Sequence, residues 1–322
     1  MAGMLPRILA LLITMTVLFT LTGCGDDRPE RIAKYQQLTQ KNLDDLGSLL
    51  NQGQVRNATL LKQYTAILQQ QKPDLTPLLT ELAKDAGTKG PMYTGLTRRL
   101  TESYDGKNFV DLDDQLNEAE NLYQATDPSL YNDMLSDPVN VVADMSGGSL
   151  SRVNAISREA ATMANGADDF GAGSQLVGNP GYGSWQTNSS GTSFWAWYGM
   201  YSMFSNIFQR PIYYDNWSNR RGYSYYNDVG RYRYTSPKQA RAQNQTFETT
   251  KKRFESQGKK FDSPYAKPRT GATSLSRQSS SAPKAATAGK APSAGKFRSN
   301  YSKDSSFRNS NNRTTRGVRR GK

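Results

Sequence analysis

The densest group of side chains able to do chemistry is acidic. Asp111, Asp113, Asp114, Glu118 and Glu120 fall in one short stretch. Two carboxylates can share general acid and general base roles. Asp114 and Glu118 are four apart and share a face if the segment is helical. The plainer reading is an acidic first turn matched to the helix dipole, followed by a solvated face. An EF-hand calcium loop does not fit, because its glycine and ligand spacing are missing. The chain has no histidine and one cysteine. Ser-His-Asp and Cys-His catalysis are therefore excluded in their common forms. Thiolate and imidazole zinc sites are excluded too, and no disulfide can form within one chain. Paired carboxylates, Ser–Lys nucleophiles and oxygen-ligand metals remain open. No catalytic residue, metal or cofactor is assigned, and the chain is read as non-enzymatic.

The single cysteine has its own chemistry. Arg7 precedes an apolar run from Ile8 to Phe19. That run is short of the roughly 20 residues that span a bilayer, and it suits the core of an export signal. Leu21-Thr22-Gly23-Cys24 follows. Small residues there let the chain enter a peptidase cleft extended, and the thiol accepts lipid. This stretch resembles the lipobox of bacterial lipoproteins. The resemblance implies cleavage between Gly23 and Cys24, a diacylglyceryl thioether on Cys24 and an acylated new N-terminus. Two or more acyl chains make a stable anchor. Gly25, not aspartate, follows the cysteine. Where an aspartate at that position retains lipoproteins in the inner membrane, this pattern implies the outer membrane, facing the periplasm.

Charge is segregated along the chain. The net charge is +13, yet residues 25–169 carry −8, residues 170–236 carry +3 and residues 237–322 carry +17. Such asymmetry predicts a body followed by a basic interaction tail. Residues 237–322 are rich in Ser, Lys, Arg, Gly, Ala, Thr and Asn, with too few apolar residues to build a core, so disorder is expected. Phe247, Phe254 and Phe261 recur at intervals of seven, which admits a short helix near residues 238–256. Arg313, Arg316, Arg319, Arg320 and Lys322 are the candidate contacts to a polyanion: an anionic lipid, lipopolysaccharide phosphate or an acidic wall polymer. Each cation near an anionic lipid surface contributes about 1 kcal/mol. Nucleic acid is a less available ligand for an exported chain. The tail could also fold back on the acidic body.

The elements that must position these groups are helical. Residues 27–165 show apolar residues at i, i+3, i+4 and i+7 in successive segments. The first stripe runs Tyr35, Leu38, Leu46, Leu49 and Leu50, opened by a capping box of Asp27 and Glu30. Further stripes are Leu60, Leu61, Tyr64, Ile67 and Leu68, then Leu75, Leu78, Leu79 and Leu82. Tyr93, Leu96, Leu100 and Tyr104 follow, then Phe109, Leu112, Leu116 and Tyr123. Val153, Ile156, Ala160 and Met163 form the last. Short connections favour an antiparallel bundle.

Residues 166–193 are punctuated by glycine and read as a flexible linker. Residues 194–236 are the aromatic segment. Trp197, Met200, Tyr201, Phe204 and Phe208 make a stripe at helical spacing, widened by Trp195, Tyr198 and Met203. An interfacial amphipathic helix, a core helix docked on the bundle and a partner-binding patch are the competing readings. Trp195, Trp197, Tyr201, Phe204 and Phe208 are the candidate membrane or partner contacts. The Tyr- and Arg-rich stretch after residue 212 reads as a sticky linker, or as a stacking surface for sugars or bases.

The expected architecture is mainly α. A signal peptide (1–23) precedes a small antiparallel helical bundle (24–165). A Gly-rich linker (166–193), an aromatic segment (194–236) and a disordered basic tail (237–322) follow. Gly178-Asn179-Pro180-Gly181-Tyr182-Gly183-Ser184-Trp185, set between such a body and tail, resembles uncharacterised bacterial envelope lipoproteins. The expected role is a non-enzymatic, lipid-anchored interaction protein. An accessory subunit docking through the aromatic segment is the alternative, and a carboxylate-dependent wall hydrolase the third reading.

Overall fold

Helix α1 (Arg28–Asn51) is the longest element, and its buried face carries Ile32, Tyr35, Leu43, Leu46 and Leu50. The computed structural model describes residues 26–208 and 211–271. The start of α1 differs from the expected capping box. Asp27 has helical dihedrals and makes no side-chain cap. Asp26 takes that role, accepting the Arg28 amide at 3.1 Å. The signal peptide, Gly23 and Cys24 lie outside the described residues.

The chain is mainly α, as its periodicity requires. Helix α2 (Arg56–Gln71) ends where Pro73 opens a 3₁₀ turn. Helix α3 (Thr76–Ala83) buries Leu78, Leu79 and Leu82 and tightens into a 3₁₀ turn at Lys84–Ala86. Helix α4 (Pro91–Ser103) and helix α5 (Leu112–Ala125) follow. Asp111 caps α5 by accepting the Asp114 amide at 2.8 Å. This satisfies an otherwise orphaned helix-end donor.

Helix directions follow from the pairs they make. Arg31 meets Glu120 and Tyr35 packs on Tyr123, so α1 and α5 run parallel. Gln36 reaches Ser103 and Tyr93 reaches the Leu43 carbonyl, so α4 runs antiparallel to α1. Helices α6 (Pro128–Met134) and α7 (Ser136–Met145) come next. Nearly every residue of α7 is buried. Its buried polar side chains Asp137 and Asn140 are hydrogen-bonded, and α7 is enclosed by α2 and by the C-terminal half of the chain. Helix α8 (Arg158–Asn165) closes this half, with Ser157 as its cap. Val153 and Ile156 precede α8, and Met163 points to solvent. The stripe expected there is not a packed helical face.

The second half forms a layer over this bundle. Residues 166–193 are not a flexible linker. A 3₁₀ turn (Ala172–Leu176) packs on α7, and Val177, Asn179 and Tyr182 are buried. Gly178 has φ of +90°, and a Cβ there would meet the Asn227 amide oxygen at 2.7 Å and the Trp217 ring at 3.0 Å. This glycine serves close packing rather than freedom.

Nor is the aromatic run a helix. Strands β1 (Gly183–Thr187) and β2 (Ser193–Trp197) form an antiparallel hairpin with Trp185 opposite Trp195. Alternation puts both indoles on one face. A 3₁₀ turn (Gly199–Ser202) and a short helix α9 (Met203–Phe208) follow. Helix α10 (Tyr214–Arg220), a π turn (Tyr226–Gly230) and helix α11 (Arg231–Tyr234) hold the Tyr/Arg stretch. That stretch is interior, not a linker: Tyr214, Trp217, Tyr223, Tyr225, Tyr226 and Tyr234 are all buried.

Helix α12 (Pro237–Glu255) is the helix expected near residues 238–256, and it opens with a capping box between Ser236 and Gln239. Phe247 and Phe254 both pack on Phe261. Residues at intervals of seven return to one helix face. Residues 237–271 therefore belong to the fold, which corrects the expected start of the tail. Residues 272–322 lie outside the described residues. Among the described residues, no helix is long and apolar enough to cross a membrane.

Candidate functional site

The seam between bundle and layer gathers the buried polar groups. Arg99 of α4 makes a two-pronged ion pair with Glu118 of α5, both bonds 2.8 Å, and both side chains are only 3 % exposed. A third guanidinium nitrogen donates to the Arg233 carbonyl at 2.7 Å, which fastens the layer to the bundle. Burial raises the Glu118 pKa, opposed by Arg99. Asp137 of α7 accepts the Tyr225 and Tyr226 amides at 2.8 and 2.9 Å. Its burial raises the carboxyl pKa to about 7 against those two donors. Asp85, in the turn after α3, accepts the Tyr182 hydroxyl at 2.6 Å. Burial pushes this carboxyl to about 7 as well, opposed by the phenol and the Met92 amide. The Tyr234 hydroxyl donates to the Ala125 carbonyl at 3.1 Å.

Of the concavities on the surface of the described residues, two bring charged side chains from several elements together. One, about 440 Å³, lies between β1 and α12. Gly178, Pro180 and Gly183 line it from the hairpin side, with Trp185 and Tyr198. Ala242 and Thr246 line it from α12, and Arg98, Glu102 and Lys238 add charge. Such a volume falls within the roughly 300–1,000 Å³ of small-ligand clefts. The other, about 210 Å³, is polar and holds Arg152, Arg158, Glu159, Asp168 and Asp169. Its charges are largely spoken for. Arg158 pairs with Asp169, Arg220 with Asp168, and Arg152 with the largely buried Asp144. Burial raises the Asp144 carboxyl to about 6, and Arg152 opposes it.

The five acidic residues singled out in sequence do not converge on a shared centre. Asp111 caps α5, Asp113 pairs with Arg28, and Asp114 pairs with Arg241 of α12. Glu118 is sealed against Arg99, and Glu120 pairs with Arg31. Asp114 and Glu118 thus serve two different arginines. Among the described residues, no group of three His, Cys, Asp or Glu side chains could hold a metal ion.

The candidate membrane or partner contacts are mostly interior. Trp195, Tyr201 and Phe204 are buried, and Trp197 is half-buried with its ring 4.8 Å from Phe204. Buried residues cannot form a docking patch, so for Trp195, Tyr201 and Phe204 that reading is corrected to core. The Phe208 side chain, and Arg313, Arg316, Arg319, Arg320 and Lys322, lie outside what is described. The aromatic segment does leave Tyr198, Met200, Ile207 and Tyr213 exposed. Sequence reasoning passed over Asp85 and Asp137 because a lone carboxylate carries no spacing signal. No protein-family model, curated protein or solved structure matches the chain.

Proposed function

We propose that this chain is a lipid-anchored envelope protein, with a structural or interaction role rather than a catalytic one. Lipid on Cys24 holds one end at the membrane. The basic C-terminal segment binds an anionic envelope component. The outer membrane, facing the periplasm, is the proposed location. The observation that carries this reading is charge segregation. Residues 26–271 hold 28 Lys and Arg against 27 Asp and Glu, while residues 272–322 hold 12 against 1. A near-neutral body joined to so one-sided a segment suits polyanion capture. Attraction of that kind is screened beyond about 8 Å at physiological salt.

Co-sedimentation with purified envelope fragments across a salt series tests it. The mature chain with Cys24→Ser is compared with a version ending at Gly271. Binding by the longer chain alone, released by salt, supports the reading. Equal, salt-resistant binding by both removes it. The glutamine variant at Arg313, Arg316, Arg319, Arg320 and Lys322 assigns the contacts.

The cleft between β1 and α12 favours a second reading, an accessory subunit of an envelope complex. Its contacts would include Tyr198 and the exposed Ala242, which line the cleft. Salt-resistant retention of a partner, lost in Tyr198→Ala and Ala242→Arg, supports it. Retention unchanged in both variants counts against it.

A further inference from the structure

Among the contacts that lace the layer to the bundle, four differ in how their charge is balanced. Glu118 has Arg99. Asp137 has two backbone amides, with Arg152 within electrostatic reach and Asp228 opposing. The Tyr234 contact is neutral. Asp85 is the exception. It is fully buried: the Tyr182 phenol donates to Oδ2, Oδ1 has no hydrogen-bond partner, and the Met92 amide lowers the carboxyl pKa without offsetting burial. The charged side chain that acts on it most is another acid, Glu81 of α3. Tyr131 of α6 and Tyr201 of the layer lie within reach of its charge. Both of their hydroxyls are buried without a hydrogen-bond partner.

Ionising a carboxyl in such surroundings is unfavourable, because burial removes water and supplies no cation. Swinging the side chain out to solvent would relieve this, but the backbone is pinned. A Cβ on Gly90 would sit 2.5 Å from the Asp85 Cα, so the loop after the turn is packed directly against it. What can give way is the other side of the contact, where Tyr182 and Tyr201 belong to the layer and meet edge-to-face at 5.1 Å.

We propose that Asp85 is a proton-operated clasp: protonated, it lets the aromatic layer seat on the helical bundle, and ionised, it loosens that seam while the bundle stays folded. The sign follows from linkage. A carboxyl whose pKa is raised in the closed state binds its proton more tightly there than in the open state. Closure is therefore favoured at low pH and is lost as pH rises from the ordinary carboxylate range to about 7. Above that the loss is complete and the curve flattens.

Hydrogen exchange on the full chain between pH 5 and 8.5, corrected for intrinsic rates, tests the clasp. Amides around Tyr182 and Tyr201 are expected to open more as pH rises, by up to about tenfold per unit below the plateau. Amides of α1 and α2 around Leu46 and Leu61 are expected to hold steady. Asp85→Asn should flatten the dependence at the layer amides. Tyr182→Phe removes a donor to the ionised form and should move the plateau to higher pH, which provides a second test should Asp85→Asn not fold. Equal loss of protection in bundle and layer overturns the proposal. So does a pH dependence that survives Asp85→Asn, or a plateau unmoved by Tyr182→Phe.

Discussion

The bundle and the layer solve the problem of enclosing a core with different residues. Leucine dominates the bundle interior: Leu43, Leu46, Leu50, Leu61, Leu68, Leu78, Leu79 and Leu82. In the layer, Trp195, Tyr214, Trp217 and Phe261 form a cluster of rings, with Trp185 against three of them at about 5 Å. Leucines need only repeat at helical spacing. Rings pack by shape and by edge-to-face contact with particular neighbours, and the layer sets buried arginines among them. Arg221 meets Asp228 at 2.7 Å with both side chains 2 % exposed, and the Arg231 guanidinium lies 3.9 Å over the Tyr265 ring. One region is specified by pattern and the other by particular contacts.

The widest gap between them should appear on ending the chain at Ser236. This removes α12 and Phe261 from the layer but no helix of the bundle. Near-ultraviolet dichroism from the tryptophans should collapse while most helical signal persists, with a stability loss above about 5 kcal/mol. Retained tryptophan signal would show that the layer closes without α12. Next, Trp217→Ala should cost about 3–5 kcal/mol, against about 2–5 for Leu79→Ala in the bundle. Urea unfolding of both shows whether the layer opens first. Glu118→Gln strands Arg99 at the seam and should cost about 3 kcal/mol, with bundle and layer weakened together. Independent transitions in that variant would break the view that the ion pair couples them. Smallest of these, Gly178→Ala forces a side chain into φ of +90° beside Trp217. It should lower stability by about 2 kcal/mol and shift tryptophan emission without disturbing the bundle.

The same contrast explains what could be read from sequence. Helices α1 to α5 announce themselves by their leucine and tyrosine stripes. Helix α7 does not, because its polar residues Asp137, Asn140 and Asp144 are paired inside the structure and it has no leucine stripe against a solvated face. The layer was harder still. Gly178, Arg221, Arg233 and the tyrosines from 223 to 234 are the residue types of exposed linkers, and only their neighbours make them core. The Trp185–Trp195 pairing depends on a hairpin turn at Asn188–Thr192, where the Asn188 side chain accepts the Thr192 amide at 2.9 Å. The apparent helical spacing of Trp197, Tyr201 and Phe204 masked it. Phe247 and Phe254 did carry a usable signal, since their interval of seven marks one face of α12. The candidate cleft needs both the hairpin and α12, and so had no signature of its own.

Phe261 has a consequence for time as well as for shape. It shares a cluster with Val177, Trp195, Tyr214 and Trp217, residues that leave any synthesis or export machinery well before it does. Chains that emerge N-terminus first fold their early parts first. The bundle can therefore form while the partner surface for Asp85 and Asp137 is still being delivered. Until residue 261 arrives, the rings of the layer have no lid. That wait, set by sequence distance alone, is when a neighbouring chain can claim them.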